Sequence, residues 1–181
     1  SRAWLGLALI TQAFAAGWGG SPEEPLVLTQ VPRKAAASLA AREAKDLVRG
    51  DWFDGARLVV LSPDGQLRVL SAGFQSAADP NVSFDGQRIL FAGKKDAGSR
   101  WRIWEIGVDG QGLRAVSPED LDARSPIHVS TLFTLDSPQP WFTMVFVGQE
   151  ATLNEQGRPG ASSLYNLKLD GTELRRLTFN P

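Results

Sequence analysis

The chain has 181 residues, of which 43% are apolar and 22% charged, the composition of an ordinary folded domain with a sizeable core. A net charge of −1 gives no electrostatic case for binding nucleic acid or an anionic membrane surface. The absence of cysteine excludes disulfides, thiolate metal sites, covalent c-type haem attachment and cysteine nucleophiles within this sequence. A single histidine, His128, makes a histidine-rich metal site or a catalytic triad hard to build.

Residues 1–16 have the pattern of an export signal. Arg2 is their single charge, an apolar run extends from Ala3 to Phe14, and the small residues Ala13 and Ala15 precede the expected cleavage point. The apolar run is short for a bilayer span, and the alternative is a buried N-terminal helix. We predict a signal peptide, a periplasmic or secreted protein, and no membrane association after cleavage.

The next segment, 17–55, is predicted to contain a linker, a strand and a short helix. Gly17–Pro25 is rich in glycine and proline, and Leu26–Val31 has the composition of a strand. Lys34–Arg49 is rich in alanine and has a weakly apolar stripe at helical spacing. This helix is expected to pack lightly on a surface, and a partner-binding helix is the alternative.

Asp51 and Trp52 begin the run Asp-Trp-Phe-Asp-Gly, which combines two aromatic rings with two carboxylates. Such a run can form an exposed recognition loop, so these two residues are candidate contacts for a ligand or partner. The alternative is an aromatic plug that caps the first strand of the following domain.

Residues 56–181 contain a repeat of short strands joined by Asp-Gly pairs. Asp-Gly tolerates the positive φ of a tight hairpin, so the pairs at Asp85 and Asp109 predict two hairpins within about forty residues, the size of one propeller blade. The predicted strands are Val82–Phe84, Arg88–Gly93, Trp101–Val108 and Leu113–Ser117.

The third strand, turn and fourth strand of this unit occur three times, at 58–71, 103–117 and 164–178, and the second strand recurs at 143–148. The fold class is therefore predicted to be all-β, a partial β-propeller of about two and a half four-stranded antiparallel blades. A blade buries its faces only against neighbouring blades, so we expect an exposed apolar face on the last one. We also expect the chain to be the N-terminal part of a longer protein.

The runs Asp-Pro-Asn-Val-Ser-Phe-Asp-Gly-Gln-Arg-Ile-Leu-Phe, from Asp79, and Val-Asp-Gly-Gln-Gly-Leu-Arg-Ala-Val-Ser, from Val108, resemble TolB-like propeller repeats. Those repeats occur in periplasmic proteins and in the propellers of prolyl-oligopeptidase-type enzymes. The run from Gly50 to Gly65 and the Arg-Trp-Arg-Ile-Trp-Glu-Ile from Arg100 also resemble the N-terminal region of hydrazine synthase alpha-subunit-like proteins. That resemblance implies export and c-type haem further along the chain, although no Cys-x-x-Cys-His motif is present here.

No nucleotide-binding loop and no Gly-x-Ser-x-Gly elbow is present, and we assign no catalytic residue, metal ligand or cofactor. Hairpin geometry accounts for the aspartates that precede glycine. The polar connection from Glu119 to His128 is the candidate contact region, through Asp122, Arg124 and His128. The alternative is a solvated loop with a half-buried histidine.

Trp101 and Trp104 are expected to point to opposite faces of one strand, with one ring packed between blades. The favoured functional hypothesis is an exported scaffold without catalysis, which binds a protein partner or positions a missing C-terminal domain. The alternatives are the propeller of a larger haem redox enzyme that resembles hydrazine synthase alpha, or of a prolyl-oligopeptidase-type peptidase.

Overall fold

The computed structural model describes residues 4–5, 23–32, 54–132, 141–150 and 162–178, which form strands, turns and connections only. The strands make three four-stranded antiparallel sheets, so the predicted all-β fold class is confirmed. The chain divides into two compact units, Ser1–Ala78 with Lys95–Ala97, and Asp79–Lys94 with Gly98–Pro181. The predicted helix Lys34–Arg49 lies outside the described residues.

The first sheet has the order β1-β2-β3-β4. Its strands are β1 (Trp4–Leu5), β2 (Leu26–Pro32), β3 (Arg57–Leu61) and β4 (Leu67–Val69). The sequence places the strand at Leu26 outside the blades, but β2 pairs with β3 along its length, with Leu28 opposite Val59. The unit predicted as half a blade is therefore a four-stranded sheet. Its pairing cannot be recognised in the sequence because a long connection separates the second strand from the third. β1 falls in the predicted signal segment, of which the other residues lie outside the described ranges.

The second sheet contains the central unit of the predicted repeat. Its strands, in spatial order, are β5 (Ser76–Val82), β6 (Arg88–Lys94), β7 (Arg102–Gly107) and β8 (Arg114–Ala115). The predicted first strand, Val82–Phe84, is wrong because the chain turns after Val82 and leaves the ring of Phe84 exposed. The strand consists instead of small and polar residues, of which Ala77 and Ala78 are fully buried.

The third sheet has the order β9-β10-β11-β12. Its strands are β9 (Leu121–Leu132), β10 (Trp141–Glu150), β11 (Ser163–Lys168) and β12 (Arg175–Arg176). The sequence analysis assigned the polar segment up to His128 to an interblade loop, and this assignment is wrong. Asp122 and His128 both lie in β9, opposite Gln149 and Met144 of β10. The strand has many polar side chains, so its sequence lacks the apolar alternation by which strands are recognised.

The Asp-Gly turns have the role that the sequence predicts. In each, the aspartate Oδ1 accepts a hydrogen bond from the backbone N–H two residues later, and the following glycine has a positive φ. The donor–acceptor distances are 3.2 Å at Asp64, 3.0 Å at Asp85, 2.9 Å at Asp109 and 2.8 Å at Asp170. The glycine φ values are 82°, 71°, 88° and 89° in the same order.

A second hydrogen bond recurs at the end of each fourth strand. The hydroxyls of Ser71, Ser117 and Thr178 accept the backbone N–H of Leu58, Ile103 and Leu164 respectively, each at 2.9 Å. The bond joins the second residue of the third strand to the residue two positions after the fourth strand. This contact explains why each copy of the repeat ends in serine or threonine.

Within the second unit, β6 and β7 contact β9 of the third sheet. One face of the third sheet supplies buried apolar side chains to this core, including Met144, Phe146, Tyr165 and Leu167. The rings of Phe146 and Tyr165 stack with centroids 5.7 Å apart. These side chains occupy alternate positions in two paired strands, so they lie on one face of the sheet.

Candidate functional site

The candidate site lies where the first strands of the second and third sheets meet, at β5 and β9. Asp79 and Ser125 have φ values of 54° and 50°, and each directly precedes a proline. This conformation is uncommon for residues other than glycine, and proline restricts the preceding residue further. The Ser125 hydroxyl donates to the Asp79 carboxylate at 3.0 Å, so the two unusual positions are bonded to each other.

Further along the same strands, Asn81 of β5 makes two contacts with His128 of β9. Its Oδ1 accepts the backbone N–H of His128 at 2.8 Å and lies 2.8 Å from the ring Nδ1. Because this oxygen only accepts, Nδ1 carries the ring proton and Nε2 has the lone pair. Nε2 is buried without a hydrogen-bond partner. Burial lowers the pKa of His128 below its ordinary value, which keeps the ring neutral, while the charge of Glu105 opposes this shift.

Asp122 and Arg124 form an ion pair on β9, with 3.0 Å between Nη2 and Oδ2. The guanidinium carbon of Arg124 lies 5.5 Å from the centre of the Trp101 ring, a cation–π contact with the second sheet. Trp101 is buried, which agrees with the predicted packing between blades. Burial raises the pKa of Asp79, whereas the bonds from Ser125 and the charge of Arg124 lower it.

Two further arginines hold the connection between the second and third sheets. Arg100 donates to the carbonyl of Asp120 at 2.5 Å. Arg102 donates to the carbonyl of Ser117 at 2.7 Å and pairs with Glu119 at 2.7 Å. This connection is therefore bound to the sheet that precedes it.

A second polar cluster lies on β6, β7 and β8, centred on Glu105. This buried carboxylate accepts from Nε of Arg114 at 2.8 Å and is 3.7 Å from Nη1 of Arg88. Arg114 also donates to the carbonyl of Leu169, the residue after β11 of the third sheet, at 2.6 Å. An open cavity of about 480 Å³ adjoins the cluster, lined by Gln87, Arg88, Glu105 and Arg114 among others. The cluster links two neighbouring sheets through a charged hydrogen bond.

Three of the five predicted contact residues, Asp122, Arg124 and His128, lie on one strand. Asp122 and Arg124 are in contact with each other, whereas His128 contacts Asn81. Asp51 and Trp52 lie outside the described residues. Sequence reasoning missed Asn81 and Ser125 and treated Asp79 as a turn residue, whereas Asp79 lies in β5. A polar residue before proline in both first strands, Asp79-Pro80 and Ser125-Pro126, is the signal that could have identified the pair.

This arrangement of residues connects two neighbouring sheets through hydrogen bonds. The polar groups of β5 and β9 bond mainly to one another, and the histidine is neutral. Within the described ranges, no group of three or more histidine, cysteine or acidic residues is placed to hold a metal ion. None of the described segments is a helix long and apolar enough to cross a membrane.

The three four-stranded antiparallel sheets and their shared Asp-Gly repeat define the fold as a partial β-propeller, which a TolB structure shares. The chain is similar to hydrazine synthase subunit alpha of Kuenenia stuttgartiensis, with 37% identity over 116 residues. The match covers 59% of this chain and 13% of the relative, so the chain corresponds to a small part of that protein. No protein-family model matches the chain.

Two solved structures resemble the fold. Hydrazine synthase of Kuenenia stuttgartiensis superposes with a TM-score of 0.61 and 25% identity, covering 80% of this chain and 21% of that chain. A TolB structure from Agrobacterium tumefaciens superposes with a TM-score of 0.51 and 21% identity, covering 67% of this chain and 40% of that one. The second likeness shows the fold alone.

Proposed function

We propose that this chain is an exported, non-catalytic propeller segment that binds a protein partner or positions a neighbouring domain. The observation that carries the proposal is the joint between β5 and β9. There, Asp79, Asn81, Ser125 and His128 use their polar atoms to connect two sheets. Side chains committed to such contacts maintain the geometry of a scaffold. The signal-like pattern of residues 1–16 supports export to the periplasm or the exterior.

The similarity to hydrazine synthase subunit alpha favours a second candidate function. In this case the chain is the propeller part of a larger haem-containing redox enzyme. Since the chain has no cysteine, covalently bound haem would have to be attached to another part of that enzyme. The propeller would then orient the haem-bearing part without taking part in electron transfer itself.

The test compares the protein translated from the complete reading frame that contains this chain with a version lacking residues 54–178. We expect a protein partner, or the correct assembly of a neighbouring domain, to be lost with the segment, as measured by quantitative mass spectrometry of affinity-purified samples and by sedimentation. The purified 181-residue chain is expected to show no haem absorbance and no peptidase turnover. Haem absorbance or peptidase turnover in the chain alone contradicts the proposal. So does a deletion that changes neither the set of co-purified proteins nor the sedimentation of the complete protein. A covalent haem band in the complete protein supports the second candidate.

A further inference from the structure

We propose that the cavity beside Glu105 is a binding site for a small neutral molecule that carries several hydroxyl groups, such as a monosaccharide or a polyol. The cavity has a volume of about 480 Å³, within the usual range for small-molecule sites. It lies at the end of the second sheet where β7 turns into β8. This inference goes beyond the proposed scaffold function, which neither requires nor forbids a bound small molecule.

The observation that points to a ligand is a buried carboxylate oxygen without a hydrogen-bond donor. Glu105 is only 4% exposed and lines the cavity. Its Oε2 accepts from Nε of Arg114 at 2.8 Å, whereas its Oε1 has no hydrogen-bond partner among the described residues. A buried acceptor that lacks a donor costs free energy, so a ligand that donates to Oε1 would be favoured.

The strand pairing that the three sheets share does not account for this carboxylate. Each fourth strand contains an arginine, and the residue opposite it in the third strand differs from sheet to sheet. In sheet order, these opposite residues are Val60, Glu105 and Asn166. The amide nitrogen of Asn166 donates to the carbonyl of Met144 within its own sheet. The buried acceptor without a donor is therefore particular to the second sheet.

A guanidinium donor adjoins this acceptor and defines the chemistry of the ligand. Nη1 of Arg88 lies 3.7 Å from Oε1 of Glu105, beyond hydrogen-bond distance. A hydroxyl oxygen placed about 2.8 Å from both atoms would donate its hydrogen to Oε1 and accept from Nη1. An ammonium group cannot accept the second bond, and a carboxylate cannot donate the first. The two atoms together therefore specify a hydroxyl group.

The exposed side chain of Arg88 provides the route to the buried oxygen. This side chain is 58% exposed, and its one ion pair among the described residues is the long contact with Glu105. An exposed arginine with so weak a partner turns toward the solvent at little cost. We expect the guanidinium to turn outward as a ligand enters and then to bond to the ligand hydroxyl.

The rest of the lining suits a neutral ligand. Four charged side chains line the cavity, two of each sign: Arg88, Glu105, Asp109 and Arg114. A cation or an anion would meet a like charge in this site, whereas a hydroxylated molecule carries no net charge. The exposed side-chain amides of Gln87 and Gln111 supply further donors and acceptors for additional hydroxyl groups.

The test is a titration of the isotope-labelled 181-residue chain with hydroxylated probes, followed by NMR of the backbone amides. The probes are glycerol, myo-inositol, D-xylose, D-glucose, D-galactose and D-mannose. We expect at least one probe to shift the amide signals of Gln87, Gln111 and Gly112 saturably, while the amides of the first sheet stay unchanged. The absence of a saturable shift at these three amides with every probe overturns the proposal.

One substitution removes the donor of the proposed hydroxyl site. Arg88→Met retains a long side chain without the guanidinium, and we expect it to weaken binding at least about tenfold. Arg175→Met is the matched control, because Arg175 is an arginine of similar exposure, 69%, that does not line the cavity. Native affinity in Arg88→Met, or an equal loss in Arg175→Met, contradicts the proposal.

A second substitution removes the acceptor with little change in shape. In Glu105→Gln, the amide oxygen should face Arg114, which needs an acceptor, so the amide nitrogen faces the cavity as a donor. We expect binding to weaken at least about tenfold here as well. Native affinity in this variant refutes the assigned acceptor. If its circular dichroism spectrum shows that it does not fold, Arg88→Met and its control decide the question.

Probes that only accept or only donate distinguish other classes of ligand. Acetate accepts hydrogen bonds, and methylammonium donates them. A saturable shift of the same amides with acetate or methylammonium, without one from a hydroxylated probe, would identify an ion-binding cavity and overturn the proposal. The scaffold function is independent of these results, because its own test measures partner loss and assembly.

Discussion

Removing the hydroxyl of Ser117 tests whether the serine that ends each repeat is a structural hydrogen-bond acceptor. In the native protein this hydroxyl accepts the N–H of Ile103 at 2.9 Å, and both residues are almost completely buried. Ser117→Ala leaves the N–H of Ile103 in a site that water does not reach. We expect the free energy of unfolding to fall by about 1–3 kcal/mol, the cost of a buried unsatisfied polar group.

Thr178→Ala is the matched control for this substitution. Thr178 makes the same contact with the N–H of Leu164 at the same distance, but the contact is exposed. Water can replace the lost hydroxyl there, so we expect a loss of less than about 1 kcal/mol.

The assay is urea denaturation followed by circular dichroism or fluorescence. With a slope of about 1–3 kcal/mol per molar urea, a loss of about 2 kcal/mol lowers the midpoint by roughly 1 M. The two variants should keep the slope of the native protein. Equal losses for Ser117→Ala and Thr178→Ala, or no loss for Ser117→Ala, would refute the argument from burial.

Three other perturbations have defined outcomes. Because the pKa of His128 is lowered in the folded state, its neutral form stabilises the fold above pH 6.5, and stability should fall as the pH drops through the folded-state pKa; His128→Gln should flatten this part of the denaturation profile. Gly148→Ala should cost about 1–3 kcal/mol, since its Cβ would lie 2.7 Å from a buried ring atom, whereas Gly98→Ala, with open space around it, should be neutral in thermal melts. Arg114→Ala should cost about 1–2 kcal/mol because a buried carboxylate loses its partner, and exposed Arg175→Ala about 0–0.5 kcal/mol; equal costs would contradict the assigned joint.

The hairpins were predictable from the sequence because their determinants are local. An aspartate and a glycine in adjacent positions are sufficient for the turn at Asp109. The aspartate side chain accepts a backbone hydrogen bond, and the glycine adopts the positive φ that the turn requires. The third strand before this turn is apolar enough to be read directly, and Arg102–Gly107 lies within the predicted range Trp101–Val108.

The first strands were not predictable because their determinants are on other strands. Ala77 and Ala78 are buried by close packing of neighbouring chain segments, and their small side chains give no apolar pattern. Asp79 and Ser125 are acceptable in strands because they bond to each other across a sheet boundary. A single sequence does not show which residues 46 positions apart will meet. The candidate site was therefore found only on β9, and its half on β5 was missed.

The paired residues before proline also affect how such a protein can evolve. Asp79 and Ser125 place a bend at the same point of successive first strands, and each bend contributes an atom to the hydrogen bond between them. The hydroxyl donates and the carboxylate accepts, so duplication of one repeat in a gene would copy the bend but place two like groups at the new junction. Gain or loss of a whole repeat would therefore require a compensating substitution at the position of Asp79 or of Ser125.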